Sequence, residues 1–322
     1  MMYRFRWFAC FLLALSLLPL TGCGGGGGGG TSAPAAGPPV IYAATSNGLS
    51  ISTNAGATFT NYQWQGLPTA NGVFVSGSTI YVATNSGIAI STNSGKKFTY
   101  SSVTNGLASN NVNGVAVSGK SLFAATDQGL SISADGGGTY RLPITSAVGS
   151  ANTHCVALTS TKEYVGTDAG LYVSGDGGNT WTKAGAFASP VYSVSVDASA
   201  IAAATAAGLY LSTDGGATFN LSQPLTTPQY VTFVYGSTVY SALGNNPFGL
   251  YESPSLGSNW SLCTTANGLG NNQVMGIFVN NAVLYAATTG GLSISLNGGS
   301  TFTNATTSNG LGSNVVKGVF VQ

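Results

Sequence analysis

One eight-residue pattern returns seven times along the chain: "STNAGATF" at Ser52, "STNSGKKF" at Ser91, "SADGGGTY" at Ser133, "SGDGGNTW" at Ser174, "STDGGATF" at Ser212, "SPSLGSNW" at Ser253 and "SLNGGSTF" at Ser295. The first and last serines are 243 residues apart over six intervals, a mean period of 40.5. That period lies in the range of one four-stranded propeller blade. A unit of this size cannot bury its own apolar face, so the copies must pack on one another.

Each box follows an alternating run such as "GLSIS" (Gly48 to Ser52) and precedes another such as "TFTNYQ" (Thr58 to Gln63), so it reads as a hairpin turn. Upstream lies a further strand: "VIYAAT", "TIYVAT", "SLFAAT", "KEYVGT", "AIAAAT", "TVYSAL" or "VLYAAT". A fourth strand starts at Gly72, Gly114, Cys155, Ser193, Val231 and Gly276, which serves only six blades. The seventh copy is "GVFVQ" from Gly318, while the first blade, near Val40, lacks this strand. The expected fold is therefore an all-β, seven-bladed propeller of four strands per blade, closed by the C-terminal strand completing the first blade. Closure would satisfy the two open sheet edges that otherwise template aggregation.

The propeller is expected over residues 38–322, which leaves a short N-terminal segment. There Arg4 and Arg6 precede an apolar run from Trp7 to Leu20, too short to span a bilayer as a mature helix. "LTGC", ending at Cys23, resembles the bacterial lipobox. That resemblance implies a signal peptide over 1–22, cleavage before Cys23 and diacylation of its thiol. Seven glycines and "TSAPAAGPP" then form a tether over 23–37, with nothing to bury. Because Gly24 rather than Asp follows the cysteine, the resemblance implies sorting to the outer membrane.

The repeat template resembles the Asp-box, or BNR, repeat of sialidases, xyloglucanases, sortilin-type receptors and photosystem II assembly-factor propellers. A second stretch, "NGLASNNVNGVAV" (Asn105 to Val117) followed by "LFAATDQGL", is similar to the propeller repeats in periplasmic sensor regions of hybrid two-component regulators. Sialidase chemistry does not carry over. That family grips a substrate carboxylate with three arginines, and Arg141 is the only arginine after the signal segment.

The third box position is Asp135, Asp176 and Asp214 in blades three to five, but Asn54, Asn93 and Asn297 in blades one, two and seven. Both residue types offer an oxygen that accepts from backbone two residues on, so these positions read as structural turn-formers. The closing aromatics Phe59, Phe98, Tyr140, Trp181, Phe219, Trp260 and Phe302 recur once per blade, as packing between blades requires. Cys155 and Cys263 fall on an innermost strand of blade four and an outermost strand of blade six, a separation expected to exceed disulfide reach.

Charged residues are 5% of the chain against roughly 25% in an average domain. Without the signal segment, seven cationic side chains face eight acidic ones, which argues against nucleic acid. Function is expected opposite the boxes. Just before the innermost strands the aligned residues are Asn71, Asn113, His154, Tyr192, Tyr230, Met275 and Lys317, seven side chains of five kinds at the channel mouth. On the same face Asp127 in "TDQG" and Asp168 in "TDAG" occupy adjacent blades.

The reading is a lipid-anchored, extracytoplasmic, monomeric binding or scaffold propeller that recognises a protein or glycan partner on this face without catalysis, cofactor or metal. His154 alone cannot assemble the three or four converging ligands of a zinc site. The alternative is a glycoside hydrolase or polysaccharide lyase with Asp127 and Asp168 as the acid and base.

Overall fold

The computed structural model describes residues 37–63, 69–144, 146–185, 187–243 and 249–322. The expected signal peptide, Cys23 and nearly all of the tether lie outside them. Seven antiparallel sheets succeed one another around a ring. The innermost strands, from blade one to blade seven, are Val316–Val321, Ala70–Ser76, Val112–Ser118, Thr153–Leu158, Val191–Val196, Gln229–Tyr235 and Val274–Asn280. Blade two shows the pattern in full, with Ala70–Ser76, Thr79–Thr84, Gly87–Ser91 and Thr99–Ser101 in spatial order. In blade three the outermost strand shrinks to one bridge, in which Ile132 and Arg141 exchange backbone hydrogen bonds of 2.9 and 2.8 Å. Pro143 follows two residues later and has no N–H with which to extend the ladder.

The chain's end completes its beginning. Val316–Val321 pairs antiparallel with Ile41–Thr45, matching Ile41 with Val321 and Tyr42 with Phe320. Val40 and Gln322 extend the ladder by two mutual bonds of 2.9 and 3.0 Å. Phe320 also joins three blades through its ring, lying 5.3 Å from Phe74 of blade two and 5.1 Å from Phe278 of blade seven. The closing strand is thus held by hydrogen bonds on one side and aromatic contacts on both neighbours.

Each box is a locked turn. The first serine's hydroxyl accepts from the amide of the fifth-position glycine in all seven copies, as Ser52 does from Gly56 at 2.9 Å and Ser295 from Gly299 at 2.8 Å. The same hydroxyl donates to the third-position oxygen, for example to Asp135 Oδ1 at 2.7 Å. That oxygen in turn accepts backbone amides three and four residues on rather than two: Gly138 and Thr139 reach Asp135 Oδ1 at 2.9 and 3.0 Å. The turn is wider than an Asx-turn, and the serine takes the two-residue bond. Asn54 and Asn297 accept the same fourth-residue amide at 3.0 and 2.9 Å. The amide therefore does the carboxylate's work.

These turns are also where blades meet. The fifth-position glycine has a positive φ in every copy, 91° at Gly56 and 78° at Gly178. A Cβ there would press on the preceding blade: on Ile294 Cδ1 at 2.6 Å from Gly56, on Ile132 Cδ1 at 2.6 Å from Gly178 and on Leu211 Cδ1 at 2.6 Å from Gly257. Glycine is needed both for its backbone conformation and for close approach. The aligned column reads Ile51, Ile90, Ile132, Val173, Leu211 and Ile294, with Glu252 alone breaking it in blade six; at Gly216 the Cβ would instead meet Ile201 of its own blade at 3.3 Å. Glu252 faces Gly299, and burial pushes its carboxyl above the usual range while a hydrogen bond from Tyr240 pulls it back. Burial raises the neighbouring Cys263 thiol to about 11. Cys155 and Cys263 are both buried free thiols.

Two outcomes follow from this architecture. Phe320→Ala should destabilise by about 2–4 kcal/mol in chemical denaturation, since it removes a ring wedged among three blades. Glu252→Gln should raise Tm at neutral pH. A carboxyl whose folded pKa is raised stabilises only below its unfolded pKa and loses that contribution as pH rises through the folded value. The gain should therefore vanish below about pH 4, near the unfolded pKa, which a pH series of melting curves would read.

Candidate functional site at the channel mouth

Every innermost strand begins with the same irregularity. In blade two Ala70 pairs with Thr84 and Gly72 with Ala83, so Asn71 stands outside the ladder as a β-bulge. The same step isolates Asn113, His154, Tyr192, Tyr230, Met275 and, on the closing strand, Lys317. A bulge re-aims one side chain without ending the strand. All seven sequence-predicted mouth residues occupy these bulges. The strands crowd here: a Cβ on Gly276 would lie 3.1 Å from the Lys317 carbonyl oxygen and 3.2 Å from Gly318 Cα.

The turns between second and third strands share this face. In six blades the second strand ends in threonine, whose hydroxyl donates to the carbonyl three residues on, at 2.6 Å from Thr126 to Gly129 and 3.0 Å from Thr167 to Gly170. The following backbone N–H returns to the same hydroxyl, at 3.0 Å from Ala169 to Thr167. These bonds lock the turn whatever residue stands second. Asp127 and Asp168 are thus not required as turn-formers; Ser46, Asn85, Ala206 and Thr289 hold the same place.

Both acids instead bond side chains near the start of the innermost strand of their own blade. Asp127 Oδ2 accepts from Asn111 Nδ2 at 3.1 Å. Asp168 Oδ1 lies 2.6 Å from His154 Nε2. The His154 side chain is 4% exposed and that of Asp168 is 54% exposed. A carboxylate only accepts, so the imidazole nitrogen facing it carries the proton. The arrangement inverts the usual acid–base dyad: the carboxylate is presented to solvent and the imidazole is the buried support. Sequence reading placed both residues but not their bond, and missed Asn111.

Around the ring these side chains form two arcs. His154 meets Tyr192 edge to face at 5.2 Å, and Tyr192 stacks on Tyr230 at 4.8 Å with 17° between the planes. Burial raises the Tyr192 phenol, with smaller contributions from Tyr230 and Asp168. Met275 is buried beside this aromatic run. On the polar arc, Lys317 Nζ donates to Asn71 Oδ1 at 3.0 Å, Asn71 Nδ2 donates to the Val112 carbonyl at 2.8 Å, and Asn113 Nδ2 donates to the Thr153 carbonyl at 2.7 Å. Each of these bonds joins adjacent blades. Burial pushes the Lys317 ammonium down to about 8.

Among the described residues no group of three or more His, Cys, Asp and Glu could hold a metal ion, and no helix is long and apolar enough to cross a membrane. Lys317 supplies a titration test. A lysine whose folded pKa is depressed costs stability below that value, and the cost disappears as pH rises to its unfolded pKa near 10.4. Lys317→Met should raise Tm at pH 7, the gain shrinking progressively above pH 8 in melting curves.

No protein-family model and no curated sequence matches the chain. Solved structures do. An ancestral GH74 enzyme superposes with a TM-score of 0.62 at 16% identity, covering 82% of this chain and 44% of that one. YCF48 bound to D1 peptide gives 0.60 at 13%, covering 79% and 92%. The extracellular domain of a hybrid two-component system from B. thetaiotaomicron gives 0.62 at 18%, covering 79% and 38%. The chain spans less than half the length of the GH74 enzyme. At these identities the likeness is one of fold, and that fold, a seven-bladed β-propeller, is shared by enzymes and by extracellular sensor domains.

Proposed function

We propose that this protein is a recognition propeller, exported and lipid-anchored through Cys23, that binds a protein or glycan partner on its channel-mouth face and performs no chemistry there. One observation carries the reading. Seven bulges in register turn seven side chains of five kinds toward one mouth, while the boxes on the opposite face repeat a single locked turn. Function belongs to the site rather than the fold, and here the site is a set of hydrogen-bonding and aromatic groups lying outside the ladder.

The hydrolase or lyase reading assigns acid and base to Asp127 and Asp168. Each accepts a hydrogen bond from a neighbour, Asn111 or His154, that holds it in place. A mobile proton carrier has to be within reach of substrate in both protonation states, whereas the 2.6 Å contact ties the Asp168 carboxyl to a buried imidazole. Neighbours of both kinds, enzymes and sensor domains, are compatible with the fold. YCF48, which was solved with a peptide, supports a binding role for such a propeller by analogy.

The test is photocrosslinking in cells. A photoreactive residue replacing Asn71, at the mouth, should yield a discrete adduct, whereas one replacing Asn93, in a box, should not. Adducts from the box position alone would move the partner surface to the other face. Substrate turnover lost in the Asp127→Asn, Asp168→Asn double variant would establish the enzymatic alternative.

A further inference from the structure

The mouth is electrically lopsided. Of the described cationic side chains, Lys96 and Lys97 belong to a box, Lys120 and Lys162 to hairpin turns on the box face, and Lys183 to an outermost strand. Arg141 reaches away to the box of blade four, donating to Asn179 Oδ1 at 3.0 Å and the Gly177 carbonyl at 3.3 Å. Lys317 is the one cation among the bulged residues, and it sits three blades from Asp168. Its burial disfavours its charge. Asp127 and Asp168 occupy adjacent blades on the mouth face.

Beside that negative side stands an aromatic wall. Tyr192 and Tyr230 are half-buried and nearly parallel, so each is fixed by the other and neither is free to turn away. The buried His154 supports both parts at once, holding Asp168 at 2.6 Å and packing against the Tyr192 ring. The His154–Asp168 contact thus fixes a carboxylate that is itself more than half exposed. A pre-oriented carboxylate flanked by aromatic rings is the combination that attracts an organic cation: the carboxylate supplies charge, and the rings supply their negative faces in place of water. A metal ion would need more ligands than this sector offers.

We propose that the mouth sector built by blades four to six is a cation-recognition site, in which Asp168 pairs with the ammonium or guanidinium group of a basic side chain on a protein partner while Tyr192 and Tyr230 pack along it. This rests on the channel-mouth reading above and makes it specific: the partner is a protein presenting an exposed lysine or arginine. His154 is a positioning residue, acting through Asp168.

The experiment titrates the propeller, residues 31–322, with the blocked tripeptides Gly-Lys-Gly and Gly-Arg-Gly and with the Nε-acetyl-lysine and glutamate counterparts, following tyrosine fluorescence and heat. The lysine and arginine peptides should bind saturably, and roughly tenfold more tightly than the acetylated one. Asp168→Asn, which keeps the shape and can still accept from His154, should lose that factor of roughly ten. Tyr192→Phe keeps the ring and should stay within about twofold, whereas Tyr230→Leu should weaken binding several-fold. Melting curves confirm that each variant is folded. Equal binding of charged and acetylated peptides, absence of binding, or an Asp168→Asn variant that binds like the parent would overturn the proposal. The two readings separate in cells. If Asp168→Asn leaves the crosslink from position 71 intact, the cation site is wrong and the mouth surface stands; if the parent gives no mouth crosslink, the mouth surface falls as well.

Discussion

The ring depends on a contact between a glycine without a side chain and the aliphatic tip of the blade before it. A single four-stranded sheet of this length has two apolar faces and no core of its own, so blades are stable only where neighbours cover them. The box provides the joint. Its serine bonds the fifth-position amide, the turn holds that glycine at positive φ, and the space left by the missing Cβ admits a side chain from the preceding blade, as Gly178 admits Ile132. The joint repeats from blade to blade, and the closing strand then turns a stack with two open ends into a ring with none.

The mouth is a consequence of the same closure. Innermost strands converge at the axis, and the ladder residue just after each bulge must be small or point outward where strands crowd, as Gly276 shows against Lys317 and Gly318. The extra residue pushed out of the ladder is freed from pairing and lies at the entrance. A constraint of packing thus leaves seven positions whose side chains lie outside the ladder and are free to differ from blade to blade, even where, as at Asn71, Asn113 and Lys317, they also bond a neighbouring blade.

Much of this was legible from the period alone. Box spacing located every third strand, the count of innermost strands exposed the closure, and alignment of the copies placed the seven mouth residues on what proved to be seven bulges. What the period could not reveal are bonds made by side chains that differ from copy to copy. Asn111 to Asp127, His154 to Asp168 and Lys317 to Asn71 each join residues from different strands or blades, the last across 246 positions of chain. The three- and four-residue reach of the box oxygens was missed because an Asx-turn is shorter by a residue or two. The single bridge at Ile132 and Arg141 was missed because Pro143 lies beyond the box rather than within it. The connectors carry a signal that sequence reading quoted without using. In "NGL" segments Asn105, Asn267 and Asn309 cap short turns, and their backbone carbonyls accept from Tyr140, Phe302 and Phe59 of the next blade's box.

Seven copies within one chain also act as an internal comparison, and divergence has different weight at different positions. At the mouth a new side chain costs the ladder nothing, so variety there is not in itself a sign of use. Contacts made among the divergent residues are. An unused set of bulged side chains has no reason to place a buried imidazole between an exposed carboxylate and a stacked tyrosine pair, each from a separate element. Inside the joint the logic reverses. Glu252 occupies a column that is otherwise aliphatic, beside Tyr240 and Cys263, where burial opposes its charge. That departure is costly and yet faces only the neighbouring box, far along the sheet from the bulges, so the blade six to seven joint is where the ring's stability should respond to acidic and neutral pH, while the mouth's buried Lys317 responds only at alkaline pH.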